Sequence, residues 1–182
     1  MRKRSIIAAF ALLAALFGYA GLGPSAAAPQ PEAGLRLDNS FTSRTIVQRA
    51  DGTRARIADV AESDFLLATD PATGRTTKEQ VTQVIRGTGD RHLYGIDLVG
   101  APADQRIHAT VRHAFFARGI GYVEVQDLRP GDYLLRGDGS FSPVRNVADL
   151  GVQQLTVYNL RLTGPNTFLV VADGASVVTF GA

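Results

Sequence analysis

The apolar positions of this chain form one continuous run followed by many short ones. Residues 6–20 carry no charge and are nearly all apolar. Beyond residue 35 the pattern breaks into brief alternating clusters rich in Val, Ile, Leu, Thr and aromatic residues. Gly, Pro, Asp and Asn bound these clusters, as turn residues do. The clusters predict strands over 41–49, 64–69, 79–86, 92–99, 106–117, 122–125, 133–136, 144–147, 155–162, 167–171 and 177–180. A short extended segment is expected at 54–60. Ala50-Asp51-Gly52, Asp70-Pro71-Ala72-Thr73-Gly74 and Gly87-Thr88-Gly89-Asp90 read as the turns between them. Turn signals at this spacing point to an all-β sandwich or barrel-like domain.

The clusters also repeat. Asp59-Val60-Ala61-Glu62-Ser63-Asp64-Phe65-Leu66-Leu67-Ala68-Thr69-Asp70 is echoed by Asp127-Leu128-Arg129-Pro130-Gly131-Asp132-Tyr133-Leu134-Leu135-Arg136-Gly137-Asp138, at an offset of 68. Val81-Thr82-Gln83-Val84 is echoed by Val144-Arg145-Asn146-Val147, and Ile96-Asp97-Leu98 by Tyr158-Asn159-Leu160, at offsets of 63 and 62. Changes in loop length produce such drift. Two related halves follow, about 40–112 and 113–182, each able to cover the apolar face and strand edges of the other.

Composition narrows the function. Of 182 residues, 45% are hydrophobic and 20% charged, a globular balance. The formal charge is +2, but without Arg2, Lys3 and Arg4 there remain 16 basic and 17 acidic residues, so nucleic acid is not an expected partner. The absence of cysteine excludes disulfides, thiolate metal sites and a Cys nucleophile. Met1-Arg2-Lys3-Arg4, the apolar run 6–20, the break at Gly23-Pro24 and the small residues Ser25-Ala26-Ala27-Ala28 make residues 1–28 a signal peptide by pattern. The run is short for a membrane span, so no stable anchor is expected and the protein is expected outside a bacterial cytoplasm, secreted or periplasmic. Residues 29–39 follow as a linker that begins Pro29-Gln30-Pro31-Glu32-Ala33-Gly34.

Candidate chemistry gathers in Ile107-His108-Ala109-Thr110-Val111-Arg112-His113-Ala114-Phe115-Phe116, which holds two of only three histidines. Thr110 and His113 stand three apart at the end of a β-type run. Taken alone, Thr110 is an ordinary strand residue and His113 a half-buried histidine. No spacing of His, Asp and Glu suggests a metal site, and no cofactor is implied.

The neighbours of this pair make it specific. Ser40-Phe41-Thr42-Ser43-Arg44-Thr45-Ile46-Val47, with Ala50-Asp51-Gly52 behind it, resembles the opening of a Hint domain. This autoprocessing domain is shared by inteins, hedgehog C-terminal domains and bacterial pretoxins. The repeated Asp59–Asp70 and Asp127–Asp138 stretches resemble the family's D-x-x-x-G-D-x-V/L-L strands, with Ser63 in place of the first Gly. Thr110-Val111-Arg112-His113 matches its T-x-x-H motif. Val157-Tyr158-Asn159-Leu160 and Asn166-Thr167-Phe168 resemble its C-terminal strands. The likeness runs from about Ser40 to Ala182 and implies a pseudo-twofold, compact, horseshoe-like all-β domain.

The resemblance also implies a reaction. The first domain residue attacks the carbonyl before it and converts a peptide bond into an ester or thioester. Ser40 takes that position, Asn39 supplies the carbonyl, Thr110 orients the scissile peptide and His113 moves the proton. The substrate is then the protein's own N-terminal segment. Several positions depart from the family. The usual Cys is Ser40, the Asp of its Y-D-L strand is Asn159, the His of its H-x-F pattern is Asn166, and the terminal His-Asn pair is replaced by Val178-Thr179-Phe180-Gly181-Ala182. The expectation is at most single-turnover self-cleavage before Ser40 by an N-to-O acyl shift, without full protein splicing. Asn39, Asn159 and Asn166 are expected to line the site. The alternative is a catalytically degenerate Hint fold, serving as a secreted binding module or remaining from a larger pretoxin.

Overall fold

A computed structural model describes residues 37–102, 105–172 and 174–182. The signal peptide, most of the linker and the helix expected of the apolar run lie outside these residues. Twelve strands follow in chain order: β1 (Phe41–Thr42), β2 (Ile46–Gln48), β3 (Arg54–Arg56), β4 (Phe65–Thr69), β5 (Thr76–Leu98), β6 (Ile107–Thr110), β7 (Ala114–Ala117), β8 (Gly121–Glu124), β9 (Tyr133–Leu135), β10 (Phe141–Leu162), β11 (Thr167–Ala172) and β12 (Ala175–Phe180). Among the described residues there is no α-helix. The strands form one continuous path, β3-β2-β11-β12-β7-β9-β10-β1-β6-β5-β4, with β8 added to β7 and β10 also paired with β5. The all-β architecture expected from the sequence is the one observed.

Two of the expected turns do not exist. β5 and β10 are 23 and 22 residues long and run as antiparallel partners. Gly87-Thr88-Gly89-Asp90 lies within β5, opposite Val157, Thr156, Leu155 and Gln154. A Cβ on Gly87 would meet Leu37 Cδ1 at 2.3 Å, so a larger residue there would displace that side chain. The gap predicted between 147 and 155 is likewise strand, and the ladder absorbs it with an irregularity between Asp149 and Gly151.

Two expected strands are split. The 41–49 run divides into β1 and β2, and the 106–117 run into β6 and β7. Both breaks are the same turn. The Thr45 amide donates to the Thr42 carbonyl at 3.1 Å and the His113 amide to the Thr110 carbonyl at 2.9 Å. The Ile57 amide then reaches Thr45 O at 2.7 Å, and the Val125 amide reaches His113 O at 2.8 Å.

The repeat continues beyond these turns. A 3-10 turn at Ile57–Asp59 matches another at Val125–Asp127. Asp64 accepts from the Ala61 amide at 3.1 Å, and Asp132 from the Arg129 amide at 2.7 Å. Ser63 and Gly131 occupy one left-handed position, with φ of 80° and 91°. The shared geometry starts at Thr42 and Thr110, ahead of the division near residue 112 read from the sequence.

The core lies where the halves meet. Phe41, Phe115 and Phe168 are fully buried and pack edge-on, with centroids 6.0 Å apart for Phe41–Phe115 and 5.9 Å for Phe41–Phe168. Short β1 is held between β6, through Phe41 opposite Ala109, and β10, through Phe41 opposite Tyr158. That wedge fixes the backbone just before it, at Asn39 and Ser40.

Candidate functional site

Ser40 is 1% exposed, although it opens the domain. Its amide donates to Thr110 Oγ1 at 2.7 Å, and its carbonyl accepts from the Thr110 amide at 2.8 Å. The Thr110 hydroxyl in turn lies 3.2 Å from Ser40 O as a donor. Thr110 thus grips the serine through backbone and side chain together. The Ser40 hydroxyl is buried without a hydrogen-bond partner.

The carbonyl side of the Asn39–Ser40 bond is held by Asn159. Its carboxamide orientation follows from its partners. The Leu160 amide can only donate, so the atom facing it at 2.8 Å is Oδ1. Nδ2 therefore faces Asn39 O and donates to it at 2.7 Å. Asn39, Ser40, Thr110 and Asn159 accordingly converge on one peptide bond.

His113 completes the cluster from below. Its ring lies 3.9 Å, centroid to centroid, from Phe41 and 5.4 Å from Phe115, fully buried. The Thr179 hydroxyl donates to the Ala114 carbonyl at 3.0 Å, which commits its proton. Nε2, hydrogen-bonded to Thr179 Oγ1, then carries the ring proton. This leaves Nδ1 bare. Nδ1 makes no hydrogen bond, yet the Asn39 backbone is near enough to favour the protonated ring. Burial outweighs that effect and pushes the pKa down to about 3. His113 is therefore neutral at ordinary pH, with a lone pair on the nitrogen left free.

Asn166 does not join this cluster. It adopts a left-handed conformation, φ 51°, before β11. Its Oδ1 accepts from the Leu162 amide at 3.0 Å and its Nδ2 donates to Ala182 O at 2.9 Å. The Gly181 amide returns to Asn166 O at 2.7 Å. A side chain at Gly181 would lie 2.6 Å from Leu160 O and from Asn166 Oδ1, so this corner admits only glycine. Asn166 closes the chain's last turn and shares no hydrogen bond with Ser40, Thr110 or His113. Thr179 is the site residue that sequence reasoning passed over. The available signal was a hydroxyl at an inward position of the otherwise apolar stretch Val177-Val178-Thr179-Phe180.

Two other histidines lie elsewhere. His92 pairs with Asp149 at 2.6 Å and stacks on Tyr94, and His108 is half-buried. Among the described residues no group of three or more His, Asp or Glu could hold a metal ion, and no helix is long and apolar enough to cross a membrane.

Fold and site together define a Hint-class domain. The chain is similar to the bacterial intein-like domain from Clostridium thermocellum, at 24% identity and a TM-score of 0.69, covering 78% of this chain and 98% of that one. It is also similar to a DnaB intein from Synechocystis sp. PCC 6803, at 19% identity and a TM-score of 0.65, covering 79% and 98%. These likenesses concern the fold. Within the class, the chain belongs to the pretoxin Hint domain family, whose model matches residues 46–179. The matched range includes Thr110, His113 and Asn159 and begins after Ser40. No curated protein sequence matches the chain.

Proposed function

We propose that this domain cuts its own chain between Asn39 and Ser40 by an N-to-O acyl shift followed by hydrolysis. One observation carries the reading: a single buried peptide bond is held at its nitrogen by Thr110, at its oxygen by Asn159, and beside a neutral imidazole. Ser40 Oγ attacks the Asn39 carbonyl carbon. Its proton passes to the bare Nδ1 of His113 and from there to the Ser40 nitrogen as the C–N bond breaks. A neutral histidine suits this order, because it accepts before it donates. Asn159 Nδ2 stabilises the charge that develops on Asn39 O. Water then hydrolyses the ester. The substrate is the protein's own N-terminal segment, and the reaction occurs once per chain.

A serine hydroxyl is a weak nucleophile without an ordered base, so the acyl shift is slow. Secretion or periplasmic export belongs to this proposal and rests on the pattern of residues 1–28. Cell fractionation with N-terminal sequencing tests it, and a protein that stays in the cytoplasm with Met1 intact would refute it.

The cleavage test is intact-mass measurement of the chain carrying a long N-terminal fusion. A product beginning at Ser40 should accumulate, Ser40→Ala should abolish the ester route to that cut, and His113→Ala should suppress the cut strongly. Hydroxylamine should capture the released segment as a hydroxamate. A fusion that stays unchanged through prolonged incubation with hydroxylamine would refute the proposal.

A further inference from the structure

The acyl group at this junction belongs to an asparagine. The carboxamide nitrogen of Asn39 can close a five-membered ring onto its own main-chain carbonyl carbon, and such intramolecular attack is strongly favoured once reacting groups are held together. Its surroundings favour that ring over the other fates of an asparagine. Asn159 Nδ2 already donates to the main-chain oxygen of Asn39, so any nucleophile attacking that carbon meets a prepared oxyanion partner. The Ser40 N–H is committed to Thr110 Oγ1 at 2.7 Å. That hydrogen bond occupies the proton that the Ser40 nitrogen would have to lose to attack the Asn39 side-chain carbon, the step that leads to deamidation. Asn39 Oδ1 is buried and accepts no hydrogen bond, so no donor ties this end of the carboxamide in an unreactive pose. The competing nucleophile, Ser40 Oγ, is also buried without a partner and has no base bonded to it.

We infer that Asn39 is a second internal nucleophile, whose carboxamide attacks its own carbonyl and releases the upstream segment as a C-terminal succinimide. The inference rests on the reading that this bond is cut, and it concerns which atom attacks. A bond forms between Asn39 Nδ2 and the Asn39 carbonyl carbon. The bond from that carbon to the Ser40 nitrogen breaks. One Nδ2 proton passes by way of the free Nδ1 of His113 to the Ser40 nitrogen, which leaves as an amine. No water is consumed and nothing is oxidised or reduced. The cut then has two routes, an ester formed from the downstream side and an imide formed from the upstream side.

Four full chains test this: the unaltered protein, Ser40→Ala, Asn39→Ala and Asn39→Gln. Melting curves confirm that each is folded, and both fragments are weighed at early times in water enriched in heavy oxygen. The expected result is that Ser40→Ala is still cut. Its upstream fragment should be one water lighter than the free acid and carry no heavy oxygen. Asn39→Ala and Asn39→Gln should lose this lighter fragment and keep only the heavy-oxygen acid. If Ser40→Ala stays whole while the unaltered chain is cut, the Asn39 route falls and the ester route stands. If both Asn39 variants stay whole while Ser40→Ala is cut at the unaltered rate, the ester route falls instead. If no chain is cut, both fall. Mass gain by deamidation at Asn39 without a cut also overturns the inference.

Discussion

Thr45 and His113 occupy the same place in the two halves of this molecule. Each ends a turn whose amide returns to the third residue before it, and each offers its carbonyl to the first residue of a 3-10 turn. Thr45 completes that geometry with a small buried side chain. His113 completes it with an imidazole wedged between Phe41 and Phe115. A second pair diverges in the same way. Asp97 on β5 corresponds to Asn159 on β10. Asp97 is buried and ionised, and a two-pronged contact from Arg106, at 2.8 and 2.7 Å, holds its carboxyl below the usual carboxylate range. Asn159 is equally buried but uncharged, and it spends its donor on Asn39 O. The backbone scaffold is therefore indifferent to chemistry. One copy of each position is structural, and the other faces the Asn39–Ser40 bond.

Substitutions that make the second half resemble the first should show this most clearly. His113→Thr copies Thr45 and keeps the turn, but removes the imidazole proposed to carry the proton. Cleavage before Ser40 should slow by about 10²–10⁴-fold while circular dichroism stays β-type. A fast His113→Thr chain would detach the histidine from the reaction. Asn159→Asp copies Asp97 without supplying an Arg106. The carboxylate would present no donor to Asn39 O, and the cut should slow about 10²–10³-fold at neutral pH. It should recover as the pH falls and the carboxyl gains a proton to donate. A rate independent of pH in this variant would contradict the donor role.

Acid stability separates Thr45 from His113 without any reaction. The folded-state pKa of His113 is depressed to about 3, whereas an unfolded histidine titrates near 6.5. Between these values the unfolded chain binds the extra proton, so stability falls as the pH drops from about 6.5 towards 3. The loss attributable to this ring should reach about 3 kcal/mol at pH 4. Denaturant melts at pH 7 and pH 4 should show that slope in the unaltered chain and a shallower one in His113→Thr. The smallest effect runs the other way. Ser63 holds the left-handed position that Gly131 fills in the second half. Ser63→Gly should raise stability by roughly 1 kcal/mol, because a residue without Cβ relieves the strain. A lower melting temperature would show that the serine is compensated by contacts of its own.

The alternation of apolar residues was enough to place most strands and the repeat, because period-two patterning reports directly which face is buried. It failed at 87–90 and 148–154, where glycines or polar residues suggested turns. There the partner strand supplies the ladder, and the Leu37 side chain packs against Gly87. Neither is local information. Ser40, Thr110 and His113 are legible as a motif, and Asn39 and Asn159 as residues expected beside it, but the contacts that each makes are not. The donor that Asn159 offers to Asn39 O depends on the orientation of its carboxamide, which the amide of Leu160 sets. Thr179 was lost among apolar neighbours for the same reason: its importance lies in a partner 66 residues away.

The distances along the chain between these partners set a clock. Ser40 meets Thr110 across 70 residues, and Asn39 meets Asn159 across 120. During synthesis the first residue of the domain emerges long before its last partners exist. The Asn39–Ser40 bond is thus an ordinary peptide bond in a nascent or misfolded chain. It becomes a gripped one only when β10 and β12 have docked. Contacts of such high sequence separation form late, after the loop-closure entropy of the intervening chain has been overcome. The bond is in this sense an internal record of completed folding, written only once the final strand is in place.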